Sequence, residues 1–179
     1  RPPNLTTLCS WNYGNTTICE CRDVPDEAYY DGRVAAEAVR VLGEVKDRPF
    51  FLAVGFWKPH APFNAPKKYW DLYRRDKIPP LDARRPDGAP EIAFHKSTEV
   101  LGPVAKQKPL TPEQIAEMRH GYFANISFMD AQLGKVLDAL DRSGVAERTT
   151  IVFFADHGYH IGEHTLWGKT SNFELDARV

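Results

Sequence analysis

Cysteine is scarce: three residues in 179, all within the first 21, are too few for the disulfide framework of a small secreted domain, and their spacing fits no zinc pattern. An excess of charge of either sign is also missing. The 23 Lys+Arg stand against 24 Asp+Glu, for a net charge of -1 and a sequence pI of about 6.7, so bulk electrostatics exclude a nucleic-acid footprint. The longest uncharged apolar run, Pro49 to Trp57, is less than half of the roughly twenty residues that a membrane span needs. No internal repeat or low-complexity tract is visible. What is present is ordinary for a folded chain: 42% hydrophobic and 26% charged residues exclude intrinsic disorder. The chain opens at Arg1 with neither Met nor a signal peptide, and it stops at Ala177-Arg178-Val179 as if entering a strand. Residues 1–179 therefore read as an internal fragment of a single domain, truncated at both ends.

The Cys19-Glu20-Cys21 pair is too close for a relaxed mutual bridge, so any oxidised form should pair Cys9 with one of the two and leave an odd thiol. Asn-x-Ser/Thr triplets stand at Asn4, Asn15 and Asn125 and matter only in a host that glycosylates.

Up to Pro25 the chain has no period and reads as a loop. From Asp31, a plausible N-cap, the positions Val34, Ala35, Ala38, Val39, Leu42 and Val45 follow the helical i, i+3, i+4 rule as far as Lys46. Residues 50–56 then form a continuous apolar run of the kind expected of a strand covered on both faces. A short helix is expected at Pro66 to Tyr73, followed by a proline-rich, irregular excursion over 74–110. Thr111-Pro112-Glu113-Gln114 carries an N-cap, a proline at the first helical position and a capping-box glutamine. The helix that follows should bury a stripe of Ile115, Met118, Tyr122, Phe123, Ile126, Met129, Leu133, Val136, Leu137 and Leu140, with Gly144 as its stop. Residues 149–155 read as a second buried strand. Strand, helical crossover, strand implies a parallel pair in an α/β sheet with flanking helices.

In such sheets ligands collect beyond the carboxyl ends of the strands. The first predicted strand delivers Lys58 and His60 in a turn stiffened by Pro59 and Pro62; the second delivers Asp156-His157-Gly158. Asp156 suits a hard cation such as Ca²⁺ or Mg²⁺, and His157 can add a nitrogen ligand or touch an anion. The plain alternative is a strand-ending turn in which Asp caps the next amides and Gly takes a positive φ. The continuation from Tyr159 to Glu174 gathers a lysine, imidazoles, aromatics and two glycines in a loop of little periodicity, the composition of a cation-lined anion pocket.

Asp156-His157-Gly158, Gly162-Glu163-His164, Trp167-x-Lys169 and Asn172-Phe173-Glu174, with the 49–63 stretch through Lys58-Pro59-His60, Tyr122-Phe123-Ala124, and Asp23-Val24-Pro25-Asp26, resemble the sulfatases of the alkaline-phosphatase superfamily, in particular the iduronate-2-sulfatase branch. The likeness runs from about residue 21 to the end. It implies a partial alkaline-phosphatase-like sheet and the hydrolysis of sulfate esters of a sulfated sugar such as 2-sulfated iduronate within a glycosaminoglycan. It also implies a formylglycine nucleophile made from a Cys-x-Pro-Ser-Arg motif, and a Ca²⁺ ion. Carried over, Asp156 and His157 fall on metal-ligand positions, Lys169 on the sulfate-binding lysine and His60 on a histidine that touches the ester; a lysine and a histidine donor would offset the anionic charge of the transferring group. A periplasmic, secreted or lysosomal place goes with the resemblance.

One departure is decisive for this chain. Cys9 precedes Ser-Trp-Asn, Cys19 precedes Glu-Cys-Arg and Cys21 precedes Arg-Asp-Val, so none is a formylglycine precursor. The paired aspartates that complete the metal site in the family are missing too, and the fragment by itself should be inactive. Two further readings stand beside a sulfatase: a phosphatase or phosphonate hydrolase of the same superfamily, and a non-catalytic domain that keeps the fold.

Overall fold

The computed structural model describes residues 19–94 and 110–179; Cys9, the triplets at Asn4 and Asn15, and His95 lie outside the described residues. The first element, β1 (Cys19–Arg22), leads through a 3₁₀ turn at Asp26–Ala28 into helix α1 (Tyr30–Val45). Helix α1 starts one residue before the predicted cap. Its N-cap is Tyr29, without a side-chain cap bond, because the turn already fixes the entry through Tyr29 N–H donating to Asp26 O at 3.0 Å. Asp31 is not the cap. Its buried carboxylate accepts instead from the main-chain N–H groups of Trp57 and Lys58, at 3.0 and 2.8 Å, tying the helix to the turn that carries His60.

Strand β2 (Phe63–Pro66) pairs parallel with β1, Cys19 opposite Phe63 and Arg22 opposite Pro66. Helix α2 (Lys67–Trp70) follows directly, inside the span predicted for a short helix. The described part of the excursion carries 3₁₀ turns at Arg75–Lys77 and Glu91–Ala93. Helix α3 (Pro112–Arg142) begins with both halves of the predicted capping box: Gln114 N–H donates to the Thr111 hydroxyl at 3.3 Å, and Thr111 N–H donates to Gln114 Oε1 at 2.9 Å. Gly144 ends it at φ 76°, a conformation open to glycine at little cost. The chain closes with a small antiparallel pair, β3 (His160–Ile161) and β4 (Trp167–Gly168), and helix α4 (Glu174–Ala177).

The fold class is the expected mixture of helices with a parallel strand pair, but the strands are different ones. Residues 50–56 and 149–155 carry no sheet ladder. A ladder needs a neighbour to accept and donate along its length, and among the described residues the paired strands are those of the two small sheets alone. The first run nonetheless alternates like a strand. Phe50, Leu52, Val54 and Phe56 are half-buried and the residues between them are exposed, with Phe50 and Leu52 packed on the cluster of Leu42, Leu140 and Val145. Its other face is bare: Phe51 is 95% exposed, and Phe153 and Phe154 of the second run are 66% and 78% exposed.

Helix α3 is the spine of the core. Ala124 and Phe128 pack with Tyr29, Ala65, Tyr69 and Trp70, and Met118 packs with Ala61, Phe63, Ile161 and Trp167. Gly121 lets the strand pair approach, since a Cβ there would fall 2.8 Å from both Phe63 Cβ and the Trp70 ring. The buried face is rotated from the predicted stripe and more polar than it. Arg119, Asn125 and Gln132 are buried, whereas Phe123, Ile126, Met129, Leu133, Val136 and Leu137 are only half-buried. With no exposed surface, Asn125 is out of reach of a glycosylating enzyme in the folded chain.

Candidate functional site

Asp156 and His157 leave the second apolar run side by side. The Asp156 carboxylate is 87% exposed, and its Oδ2 lies 3.7 Å from His157 Nε2, beyond hydrogen-bond length. The other ring nitrogen of His157 faces Gly158 O at 2.7 Å, which assigns the proton to Nδ1 and leaves Nε2 as a lone-pair donor beside a carboxylate oxygen. A cation between the two would be held by both, and a histidine oriented through its second nitrogen is the usual form of a metal ligand. Gly158 does not take the positive φ of a simple turn. It is glycine because of close approach: a Cβ would stand 1.9 Å from Leu175 O, and its N–H donates to Asp176 O at 2.8 Å.

The loop beyond is anchored from several sides. Tyr159 stacks on Tyr122 of α3, with ring centres 6.0 Å apart. Arg119, also on α3, donates to Glu163 Oε1 at 2.9 Å and to Ile161 O at 3.4 Å, while Glu163 Oε2 accepts Ile161 N–H at 2.8 Å. His164 and Thr165 both take left-handed φ values, 55° and 68°, uncommon for residues with a side chain. They are gripped by the excursion through His164 Nδ1 on Arg84 O at 3.0 Å and Arg85 Nε on Thr165 Oγ1 at 3.3 Å. The buried His160 faces Asp176 at 2.8 Å. Half-buried Lys169 follows β4 on this loop.

In the other turn, His60 Nδ1 faces Ala61 O at 2.5 Å, and the ring meets Trp57 edge-on at 5.7 Å. Lys58, which the sequence offered as a ligand beside His60, has its ammonium among the chain's own oxygens. It donates to His60 O at 3.2 Å, to Pro62 O at 2.7 Å and to Asn64 Oδ1, so it pins the turn.

Packing brings these pieces together. Ala61, next to His60, shares one apolar cluster with Ile161 and Trp167, and Tyr159 and Tyr122 pack against it. The predicted anion contacts His60 and Lys169 therefore hang from one core with the loop of His157. Among the described residues no three His, Cys, Asp or Glu side chains are placed to hold a metal ion. Asp156 and His157 fit as part of a shell, but Ca²⁺ takes six to eight oxygens and the pair alone is too few. Sequence reasoning missed Asp176, Arg119 and Glu163 as supports, and left His160 unassigned. The His160–Asp176 and Arg119–Glu163 pairs join residues 16 and 44 positions apart in sequence, where no local pattern reaches. A separate cavity of about 370 Å³, lined by Cys19, Cys21, Trp70, Arg75 and His120 among others, contains none of the predicted site residues; burial pushes the Cys19 thiol up to about 12, with Glu117 adding to the shift.

The chain is 38% identical over 168 residues to iduronate 2-sulfatase of Mus musculus, covering 88% of this chain and 30% of that protein. It is 36% identical over the same length to the Homo sapiens iduronate 2-sulfatase, and 33% identical over 182 residues to a choline-sulfatase of Rhizobium meliloti (strain 1021), covering 94% of this chain and 34% of that protein. The chain thus spans about a third of the length of the curated relatives it matches. The family model described as Sulfatase matches residues 3–178, nearly every position that carries the loop, the turn and the helix between them, and the chain belongs to the Sulfatase family.

Proposed function

We propose that this chain supplies part of the catalytic domain of a metal-dependent sulfatase that hydrolyses a sulfate ester of a sulfated sugar, with 2-sulfated iduronate the leading candidate. The observation that carries the reading is the shared cluster of Ala61, Ile161 and Trp167, which suspends His60 and Lys169 from one core in a family of sulfatases. Two of the named relatives are iduronate 2-sulfatases; that is the reason for the sugar.

In this reading Lys169 places a compact positive charge against the sulfate oxygens, and His60, its ring set by the Nδ1 contact with Ala61 O, offers Nε2 towards the ester. Asp156 and His157 contribute an oxygen and a nitrogen to a Ca²⁺ or Mg²⁺ site completed by residues outside this chain. The ion, when bound, draws charge from the sulfate oxygens. The formylglycine nucleophile likewise belongs outside this chain. Tyr159, stacked on Tyr122, presents a flat apolar wall of the kind that receives a sugar ring.

The test uses the full-length enzyme, matured to formylglycine. Lys169→Ala should lower kcat/KM on a sulfated disaccharide by about a hundred- to a thousandfold, the usual cost of one preorganised donor to a developing anion, with metal content unchanged. Asp156→Ala should lose metal as well as rate. Wild-type enzyme that releases no sulfate from any sulfated sugar, or a Lys169→Ala variant with near wild-type kcat/KM, overturns the reading.

A further inference from the structure

Asp176 of α4 holds the site loop at three points. Its main-chain oxygen accepts Gly158 N–H at 2.8 Å, next to His157. Its Oδ1 lies 2.8 Å from Nδ1 of His160 in β3. Its Oδ2 accepts both the N–H and the hydroxyl of Ser171, each at 2.7 Å, two residues past Lys169. Both members of the His160–Asp176 pair are buried, at 0% and 5% exposure, and Gly158 must lack a Cβ for α4 to sit this close.

Stability alone is a poor reason for the pair. Among the described residues His160 Nε2, which is buried, has no hydrogen-bond partner, and an orphaned buried polar atom costs about 1–3 kcal/mol. The ring lies between other rings, edge-on to Phe173 at 6.0 Å and tilted to His164 at 5.8 Å, where a phenylalanine would stack as well without that cost. What a phenylalanine lacks is the N–H that fixes Asp176, and through Asp176 the two ends of the loop.

We infer that His160 and Asp176 are positioning residues, a buried hydrogen-bonded clamp that sets the loop from His157 to Ser171 so that the metal ligand His157 and the sulfate contact Lys169 face one site. The inference rests on the proposed sulfatase reading, and neither residue touches the substrate.

The experiment compares His160→Phe, His160→Asn and Asp176→Ala with the wild type in the full-length enzyme. Asparagine places its amide N–H where Nδ1 stood, so it keeps the bond to Asp176. His160→Phe should lose about ten- to a hundredfold in kcat/KM on a sulfated disaccharide, since displacement of a binding group by about an ångström costs up to a hundredfold. The loss should fall mainly in kcat, and the Ki for inorganic sulfate should rise with it. His160→Asn should recover to within about threefold of wild type, and His160→Phe combined with Asp176→Ala should be no worse than either alone, as expected of residues that act as a unit. Wild-type turnover with His160→Phe unimpaired, or with His160→Asn as impaired as His160→Phe, overturns the clamp and leaves the sulfatase reading standing. If the wild type hydrolyses no sulfate ester, the sulfatase reading fails and hydrogen exchange decides the clamp. The amides of Gly158 and Ser171 should exchange at least tenfold faster in His160→Phe while α3 is unchanged; equal protection overturns it. Should His160→Phe not fold, Ser171→Ala, which removes one hydroxyl contact, should give the same loop-confined gain in exchange and an intermediate loss of rate, and its absence overturns the clamp.

Discussion

Asp26 shows what a single side chain can hold. Its carboxylate is 5% exposed and accepts from Tyr69 at 3.0 Å, Gln132 at 3.2 Å and Lys135 at 2.8 Å, with Lys68 at 2.7 Å, so it joins the start of α1 to α2 and α3. Burial by itself would raise its pKa; the bonds from Lys135, Lys68, Gln132 and Tyr69 outweigh that and lower it to about 2 from 3.8. A depressed carboxyl contributes stability that is complete above its unfolded pKa and lost as the pH falls through the folded one. Unfolding free energy should therefore fall by roughly 2 kcal/mol between pH 5 and pH 2 from this residue alone. Asp26→Asn should cost about 3 kcal/mol at pH 7, because it strands buried donors, and should remove that share of the acid sensitivity. Denaturant melts across pH check both; a variant with the wild-type slope between pH 5 and pH 2 contradicts the assignment.

At the scale of elements, α3 was legible because its signals are local. The Thr111–Gln114 box lies within four residues, and Thr111→Ala should cost about 1 kcal/mol by denaturant melt, with frayed exchange confined to residues 112–116. The proline-stiffened turn of Lys58 and His60 was equally visible. The strands were not: β1 is Cys-Glu-Cys-Arg and β2 is Phe-Asn-Ala-Pro, each only four residues long and without β-branched side chains, and their pairing under α3, where Gly121 leaves them room, is a tertiary fact. The runs 50–56 and 149–155 had the composition of strands, but composition does not supply a neighbour. Of the proposed site, the residues assigned to ligands stand in short motifs and could be found by inspection. Those that support them, Arg119, Glu163, His160 and Asp176, pair over distances that only the folded chain reveals, and polar residues such as Asn125 and Gln132 gave no hint of burial.

For the molecule as a whole, the absence of a Cys-x-Pro-Ser-Arg motif predicts that the 179-residue chain alone releases no phenol from an aryl sulfate above a boiled control, with or without Ca²⁺. Measurable turnover would mean that a nucleophile within this chain does the work. The bare side of residues 50–56 and the exposed run of Ile151, Val152, Phe153 and Phe154 bear on handling before any assay begins. Unpaired backbone and β-branched or aromatic side chains offered together are a template for cross-chain pairing. Light scattering from the isolated chain should grow with concentration and time, and Phe51→Lys together with Phe153→Lys should suppress it, since charges on an open edge act as gatekeepers. The same unpaired surface makes the chain sticky, and its shelf life in solution is set there rather than at the site.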